Sequence, residues 1–324
     1  MPRRLIVDNG ADLKAGFSCI GAGLLSLYYK GVPVILEPKS LDLFNESDHY
    51  YGKTLGRVAG RIPSHFRVGN KEFDVVSNDP DGVNCHGSGK ESLSFRKWNV
   101  FIANQPNGNY IIFTYHSKDG EAGFPGNVDF KVTYFMPYGK NEIHVIQKAI
   151  SDQDTPILMS FHPYFNLGQE ENVNGYTLRI RASGYGAFRE GGELIESIQP
   201  VPSYLDFRKG NKLKGKLDSI LKEIPFPGTL DHFFLFDEVN TERPQIELSN
   251  GKTKLEVLTD YEGANFYVDT SMSNDEFVNR ENLLNRRAIA IEPQDNRIPF
   301  ESAILKAGQK YSHWMIYRFS DVVK

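Results

Sequence analysis

Cysteine is scarce in this chain: only Cys19 and Cys85 occur among its 324 residues. Two cysteines are too few for a disulfide framework or for a zinc site built from cysteines. Free thiols are the usual state in a reducing compartment. We therefore expect a cytoplasmic protein whose two thiols are unpaired.

Long apolar stretches are also missing. No run approaches the roughly 20 apolar residues that a membrane-spanning helix needs. Residues 1–8 carry charge but have no apolar segment of the length found in a signal peptide. We therefore expect no membrane partner.

Neither sign of charge dominates the sequence. The 37 basic and 41 acidic side chains give a formal net charge of -4. This balance provides no electrostatic basis for binding nucleic acid or an anionic membrane surface. A neutral small molecule fits the composition better as a ligand.

Strand-like patterns fill most of the chain. Residues 128–134 alternate apolar and polar side chains, as on a sheet with one buried face. Asn250-Gly251 separates two such segments and predicts a tight hairpin, because both turn positions favour positive φ. Similar segments recur from about residue 5 to residue 319 with turn residues between them. The sequence therefore predicts one all-β domain over residues 1–324, a large antiparallel β-sandwich.

Helical periodicity is rare. We expect short helices only at residues 41–50 and 273–280. The chain closes on a strand-like segment, residues 311–319, which is rich in aromatic side chains. Helices should therefore contribute little to the architecture.

Two apolar runs each end in an ionisable residue that is followed by proline. Residues 157–161 precede His162-Pro163, and residues 288–291 precede Glu292-Pro293. A residue before proline favours extended backbone, and proline often marks a strand end or an edge. Each run is therefore predicted to be a buried strand that presents a titratable side chain at its last extended position. An imidazole and a carboxylate placed in this way could act as a general acid and a general base.

Three further segments place polar side chains on turns. They are a glycine-punctuated stretch with Arg57 and Arg61, a loop with His86, and a strand start with Asp231 and His232. Taken singly, each is an ordinary polar turn or loop. Taken with the two proline-terminated runs, they form a candidate polar site.

Together these segments resemble the aldose 1-epimerase (galactose mutarotase) family. In chain order, the matching motifs are Gly-Arg-x-x-x-Arg-Ile at 56–62, Asn-x-His-Gly at 84–87, Trp98, Asp-Gly-Glu-Ala-Gly-Phe-Pro-Gly at 119–126, His-Pro-Tyr-Phe-Asn-Leu at 162–167, Leu-Asp-Phe-Arg at 205–208, Leu-Asp-His at 230–232 and Glu-Pro-Gln at 292–294. The blocks at 162–167 and 292–294 are the specific ones. The resemblance implies a twisted antiparallel β-sandwich of the galactose mutarotase-like type, with a sugar site on the concave face of a sheet.

The resemblance also implies a function. The protein would be an isomerase that interconverts the α and β anomers of a free hexose such as glucose or galactose, without a metal or another cofactor. By matching motif, Glu292 would be the general base, His162 the general acid, and His86 a second donor near the ring oxygen. The residues that would hold sugar hydroxyls are Arg61, Asp231 and Asn265.

The acid and the base are expected to stand as imidazolium and carboxylate near neutral pH. Their mutual attraction favours the two charges, although burial opposes both. Aromatic rings would offer a surface for the C–H face of the sugar. The candidates for this role are Tyr164, Phe233 and Phe266.

Three positions depart from the residues that are usual in the family. Gly60 stands where an asparagine is usual, Asn265 where many members have glutamine, and Cys85 where leucine is usual. The acid and the base are unaffected by these changes. The three departures leave the sugar preference open.

Three other functions stay open at this point. A non-catalytic carbohydrate-binding protein would keep the hydroxyl-binding residues but would not need the acid and the base. A metal-dependent enzyme would use the histidines and carboxylates as ligands, although the sequence has no compact motif such as His-Glu-x-x-His. A hexose-6-phosphate epimerase would need a basic cluster for the phosphate, for which only Arg57 and Arg61 are candidates near the site.

Overall fold

The computed structural model describes residues 5–79, 82–168, 170–189, 194–224, 228–270, 272, 286–295 and 298–322. Strands dominate this part of the chain, and their ladders are antiparallel. The predicted all-β class is therefore confirmed. No helix within the described residues is long and apolar enough to cross a membrane.

The strands are numbered in chain order. They are β1 (Leu5–Asp8), β2 (Leu13–Ser18), β3 (Gly23–Tyr29), β4 (Val32–Pro33), β5 (Thr54–Leu55), β6 (Arg61–Pro63), β7 (His65–Val68), β8 (Lys71–Asp74), β9 (Val83–Cys85), β10 (Asn99–Gln105), β11 (Gly108–Ser117), β12 (Val128–Pro137), β13 (Glu142–Ser151), β14 (Thr155–Pro156), β15 (Ser160–Phe161), β16 (Tyr164–Phe165), β17 (Thr177–Ile180), β18 (Gly184–Phe188), β19 (Ile195–Pro200), β20 (Asn211–Lys212), β21 (Asp231–Leu235), β22 (Ile246–Ser249), β23 (Thr253–Thr259), β24 (Gly263–Val268), β25 (Ile289–Gln294), β26 (Ile304–Leu305) and β27 (Lys310–Asp321).

Two large sheets form the body of the described structure. One has nine strands in the order β10-β11-β12-β13-β27-β23-β22-β17-β20, and the other has six in the order β16-β25-β24-β21-β18-β19. The predicted hairpin at Asn250-Gly251 joins β22 to β23. Smaller ladders comprise β1-β2-β3-β4, β5-β15, β6-β9, β7-β8 and β14-β26.

The two large sheets pack face to face through apolar side chains. The ring of Tyr317, on β27, lies 5.3 Å from the ring of Phe165 on β16. Its hydroxyl donates to the carbonyl oxygen of Ile291 on β25. Because side chains alternate along a strand, this inner layer leaves the opposite face of the six-stranded sheet available for polar residues.

The two proline-terminated runs depart from the prediction in different ways. In the first run, only Ser160 and Phe161 form a strand, β15. β15 ends at Phe161, directly before His162. β25, in contrast, continues through Pro293 to Gln294, so the prediction that the strand ends at Glu292 is wrong. The short strand β16 pairs only with Ile289 and Ala290 of β25. At Pro293, β25 is therefore paired only with β24. Because β16 does not extend to this position, the missing N–H of Pro293 removes no hydrogen bond between β16 and β25.

Helices are few, as expected, but their positions differ in part from the prediction. Helix α1 (Leu41–Glu46) begins at Ser40, whose hydroxyl accepts from the N–H of Leu43, and is shorter than the predicted 41–50 segment. Residues 273–280 lie outside the described residues. Helix α2 (Leu213–Glu223) was not predicted. Its buried side chains, which repeat at helical spacing, are Leu213, Leu217 and Ile220. Single-turn 3-10 segments lie at Gly89–Glu91, Leu93–Phe95, Glu121–Gly123, Ser203–Leu205 and Phe300–Ala303.

Candidate active site

A pocket of about 220 Å³ lies on the face of the six-stranded sheet that points away from the nine-stranded sheet. The six residues for which the family resemblance implies catalytic or hydroxyl-binding roles all line it: His86, His162, Glu292, Arg61, Asp231 and Asn265. A larger groove of about 570 Å³ crosses the nine-stranded sheet. Its imidazole and carboxylate, His116 and Asp129, are exposed, so it lacks the shielded acid–base chemistry of the smaller pocket.

Strand register brings three of these side chains to one surface. Asn265 on β24 is the direct neighbour of Glu292 on β25. Asp231 on β21 is opposite Tyr267, which lies two residues beyond Asn265 on β24. Because side chains two residues apart share a face, Asp231, Asn265 and Glu292 all project into the pocket. His232, the next residue along β21, belongs to the opposite face.

His162 and Glu292 meet in the wall of the pocket. Nε2 of His162 lies 3.2 Å from Oε1 of Glu292, and the two side chains are only 4% and 1% exposed. The ring of Tyr164 lies 4.7 Å from the imidazole, and the ring of Tyr50 lies 6.2 Å from it. A carboxylate and an imidazole from distant parts of the chain therefore form one shielded couple.

His86 stands beside this couple, and its tautomer is fixed by the backbone. Its ring is perpendicular to that of His162, with centroids 5.5 Å apart. The N–H of Gly60 donates to Nδ1 of His86 (3.1 Å), and the N–H of His86 donates to the carbonyl oxygen of Gly60 (3.0 Å). Because Nδ1 accepts a hydrogen bond, the proton of the neutral ring belongs on Nε2. His86 can therefore offer an N–H donor to a ligand.

Arg61 is held between two carboxylates. Its Nε donates to Asp79 (2.6 Å) and its Nη1 to Asp231 (3.2 Å). The other oxygen of Asp231 accepts from the side-chain amide of Asn265 (3.3 Å). Guanidinium, carboxylate and amide thus form a fixed row of donors and acceptors next to Glu292, an arrangement suited to several hydroxyl groups of one ligand.

The comparison with known families decides the classification. A sequence model of one family, described as Aldose 1-epimerase, matches residues 3–318. The chain belongs to the aldose 1-epimerase family. Aldose 1-epimerases are isomerases, so the chain is placed in an enzyme family of that class.

Relatives of known name support the same family. The aldose 1-epimerase of Haemophilus influenzae is 28% identical over 98% of this chain and 96% of its own length. The galactose mutarotase of Homo sapiens is 28% identical over 89% of this chain and 84% of its own. The crystal structure of galactose 1-epimerase from Lactobacillus acidophilus matches with a TM-score of 0.89 at 24% identity, covering 99% of this chain and 95% of that one. The predicted galactose mutarotase-like β-sandwich is therefore confirmed.

Burial determines the charge of the imidazole in this member of the aldose 1-epimerase family. Loss of hydration lowers the pKa of His162 to about 3, and the negative charge of Asp231 opposes this effect only in part. The expectation of a standing imidazolium near neutral pH is therefore wrong for the protein alone. The pKa of His232 is lowered to about 4, also by burial.

Acid should destabilise the protein because two imidazoles are buried in the neutral form. The pKa values of His162 and His232 are lowered from 6.5 to about 3 and about 4. At pH values between 6.5 and these lowered pKa values, each of the two imidazoles binds a proton in the unfolded chain but not in the native one, so each lowers the stability as the pH falls below about 6.5. Each group should account for about 2 kcal/mol of unfolding free energy lost between about pH 7.5 and pH 5.

Urea unfolding at these two pH values measures the loss. The variant His232→Asn offers an amide oxygen in place of Nδ1, which accepts from the N–H of Asp231 (3.2 Å). We expect this variant to lose about half as much stability on acidification from this source. A variant with the same pH dependence as the wild type would show that His232 is not buried as a neutral ring.

The geometry permits a metal ion, but the surroundings do not fit one. Ligand atoms of His86, His162 and Glu292 lie within 4.8 Å of one another. A histidine bound to a metal normally donates its other ring N–H to an acceptor. Nδ1 of His86 instead faces the N–H of Gly60, which is a donor. Nδ1 of His162 has no hydrogen-bond partner among the described residues. The two imidazoles are therefore poor members of a metal-ligand set.

Some nominated residues are not in the pocket. Arg57 is buried, and its guanidinium donates to the hydroxyl of Ser117 and to the carbonyl oxygens of Pro125 and Lys118. Of the three aromatic candidates, Tyr164 lines the pocket. Phe233 and Phe266 are buried and do not line it, so the prediction is wrong for both.

The sequence interpretation also missed part of the pocket wall. The additional lining residues are Asp48, His49, Tyr50, Gly60, Cys85, Phe188, Ile195 and Tyr267. The consecutive Asp48-His49-Tyr50 follows α1 directly. The polar and aromatic composition of this segment was the one signal that it could line a pocket. The local sequence does not determine the direction in which the segment turns.

Proposed function

We propose that this protein is an aldose 1-epimerase that interconverts the α and β anomers of a free hexose, such as glucose or galactose. The observation that carries the proposal is the 3.2 Å contact between His162 and Glu292 inside a pocket that also holds fixed hydroxyl-binding groups. Anomer exchange requires the cyclic hemiacetal to open and to close on the other face. That chemistry needs a base and an acid at the same end of the sugar.

The proposed reaction keeps the number of protons on the couple constant. The carboxylate of Glu292 takes the proton of the C1 hydroxyl while the imidazolium of His162 gives its proton to the ring oxygen. The bond between C1 and the ring oxygen breaks, and an open-chain aldehyde forms. Rotation about C1–C2 presents the other face of the aldehyde, and the two transfers then run in reverse.

The lowered pKa of His162 is compatible with this scheme. Burial penalises both charges of the imidazolium–carboxylate state, and ring opening converts that state into a neutral imidazole and a carboxylic acid. We therefore propose that the couple takes up one proton when the sugar binds and shares it between its two groups across the 3.2 Å contact. Bound sugar hydroxyls would stabilise the carboxylate, and His86 would donate from Nε2 to the ring oxygen.

The surroundings of Arg61 favour a neutral sugar over a hexose 6-phosphate. Arg61 is already paired with Asp79 and Asp231, so a phosphate placed there would meet two carboxylates. Arg57, the second cation that a phosphate site would have used, donates to other parts of the protein. The roles proposed for Arg61, Asp231 and Asn265 are contacts with sugar hydroxyls.

Polarimetry tests the proposed function. Freshly dissolved α-D-glucose, α-D-galactose and other free aldoses are mixed with the protein, and the uncatalysed rate is subtracted. We expect faster decay of the optical rotation with at least one free hexose and a smaller effect with glucose 6-phosphate. EDTA treatment should leave the rate unchanged.

Two outcomes would contradict the proposal. Sugar binding by calorimetry without faster mutarotation would identify a non-catalytic carbohydrate-binding protein. Loss of activity in EDTA with recovery on adding Zn²⁺ would identify a metal-dependent enzyme.

A further inference from the structure

Lys53 is a charged side chain that the proposed reaction does not use. It is fully buried, at 0% exposure, which is rare for lysine. Its ammonium donates to the carbonyl oxygen of Asn45 (3.1 Å) and lies over the ring of Phe95, 3.8 Å from the centroid. A buried ammonium is costly to desolvate, so its retention at this place calls for an explanation.

The side chain and the backbone of Lys53 contact opposite ends of a segment that forms one wall of the pocket. The side chain holds Asn45, in the last turn of α1, and the backbone N–H of Lys53 donates to the carbonyl oxygen of Tyr50 (3.0 Å). Between these contacts lie Asp48, His49 and Tyr50, which line the pocket. The ring of Tyr50 is 4.9 Å from that of His86. A shift of this segment would therefore change the pocket wall next to the imidazoles.

The backbone of Lys53 is tied separately to the acid–base couple. The N–H of His162 donates to the carbonyl oxygen of Lys53 (3.0 Å), and the N–H of Gly52 donates to that of His162 (2.9 Å). These bonds do not involve the lysine side chain. A substitution at position 53 can therefore release the Asn45 end of the segment while leaving the backbone bonds of residue 53 to Tyr50 and His162 in place.

We propose that Lys53 is a positioning residue whose ammonium holds residues 45–52 against the pocket and thereby sets the affinity for the sugar. This inference rests on the proposed function and goes beyond it. The charged form makes a charge-assisted hydrogen bond to Asn45 and a cation–π contact with Phe95. A neutral amine makes the first contact more weakly and loses the second.

How firmly residues 45–52 are held should depend on pH through the protonation of Lys53. Burial lowers the pKa of Lys53 to about 7, and the positive charge of Lys90 acts in the same direction, whereas Asp48 opposes it. As the pH rises through this value, the ammonium is lost and the segment is held less firmly. KM for the sugar is therefore expected to increase with pH.

The test compares Lys53→Met with Lys90→Met. Lys90 contacts the same segment, through Asp48 (2.8 Å) and the carbonyl oxygen of Glu46, but its side chain is 54% exposed. Loss of a buried charged hydrogen bond in Lys53→Met should raise KM about tenfold, with kcat within about threefold of wild type. Lys90→Met should change KM by less than about twofold, because exposed ion pairs contribute little.

The pH profile separates positioning from mere packing. Wild-type KM should rise between about pH 6 and pH 8.5, and this rise should be absent in Lys53→Met. Asp48, His49, His86, Lys90 and His162 are common to both proteins, so the difference isolates Lys53. A Lys53→Met protein with wild-type KM and the wild-type pH profile would overturn the proposal.

Stability and binding measurements keep the outcomes distinct. Methionine has a length similar to lysine and carries no charge to desolvate, so Lys53→Met should unfold at the same urea concentration as wild type or at a higher one. A variant with lower stability and unchanged KM would show that the role of Lys53 is purely structural. Were this variant insoluble, Phe95→Leu would replace it: a raised KM would support the proposal, and an unchanged one would overturn it. Absence of mutarotation by the wild type would refute the proposed function. Even then, sugar affinities of wild type and Lys53→Met measured by calorimetry would decide the role of Lys53.

Discussion

Glu292→Gln is expected to lower kcat by about 100- to 10,000-fold. The amide has the size of the carboxyl group and can still form hydrogen bonds, but it cannot accept the proton of the C1 hydroxyl. KM should stay within about tenfold of wild type, since Arg61, Asp231 and Asn265 are untouched. Initial rates of mutarotation by polarimetry give kcat and KM, and calorimetry gives the sugar affinity independently.

Glu142→Gln is the matched control for this experiment. Glu142 is also a buried glutamate on a strand, β13, where it contacts Arg318 (2.8 Å) and His144 (2.9 Å). It lies on the nine-stranded sheet and does not line the pocket. We expect wild-type kcat for Glu142→Gln. Wild-type mutarotation by Glu292→Gln would show that another group is the base.

His162→Asn should cause a loss of similar size, about 100- to 10,000-fold in kcat. Asparagine can donate a hydrogen bond to Glu292 but cannot deliver a proton to the ring oxygen at a useful rate. Because the acid and the base act as one unit, the double variant Glu292→Gln/His162→Asn should be within about threefold of the slower single variant. The same polarimetric assay measures all three proteins.

The control for the imidazole is His144→Asn. His144, on β13, forms a 2.9 Å contact with Glu142, so it repeats the histidine–glutamate pairing away from the pocket. Its replacement should leave kcat within about twofold of wild type. Multiplicative losses in the double variant would mean that Glu292 and His162 act independently, contrary to the shared-proton scheme.

The parts of the fold that follow period-2 alternation were predictable. Residues 128–134 fall within β12, and Asn250-Gly251 forms the expected hairpin between β22 and β23. In each case a local rule and the tertiary structure agree. Helix α2 was missed although Leu213, Leu217 and Ile220 have helical spacing, because Gly215 and several lysines interrupt the apolar pattern.

The candidate site was only partly accessible from the sequence. His162 and Glu292 were found because apolar runs deliver them to strands. Only the family resemblance separated the two arginines of the glycine-rich stretch: Arg61 lines the pocket, whereas Arg57 turns toward Ser117. That difference depends on the path of neighbouring segments, which local spacing does not encode.

The contribution of Asp79 could not be found in this way either. It holds Arg61 through a 2.6 Å contact that joins the start of β6 to the segment before β9. A similar limit applied to the charge of His162. Opposite charges were expected to dominate, but burial depends on the complete fold and outweighs them.

The bond from Gly60 to His86 has a consequence for how this family can diversify. Because the backbone N–H sets the tautomer, the side chain at position 60 takes no part in it. The φ of +67° there admits glycine, asparagine and aspartate more readily than other residues, and the asparagine usual in the family meets that condition. A substitution at this position can therefore add or delete an amide beside the pocket without disturbing the tautomer of His86.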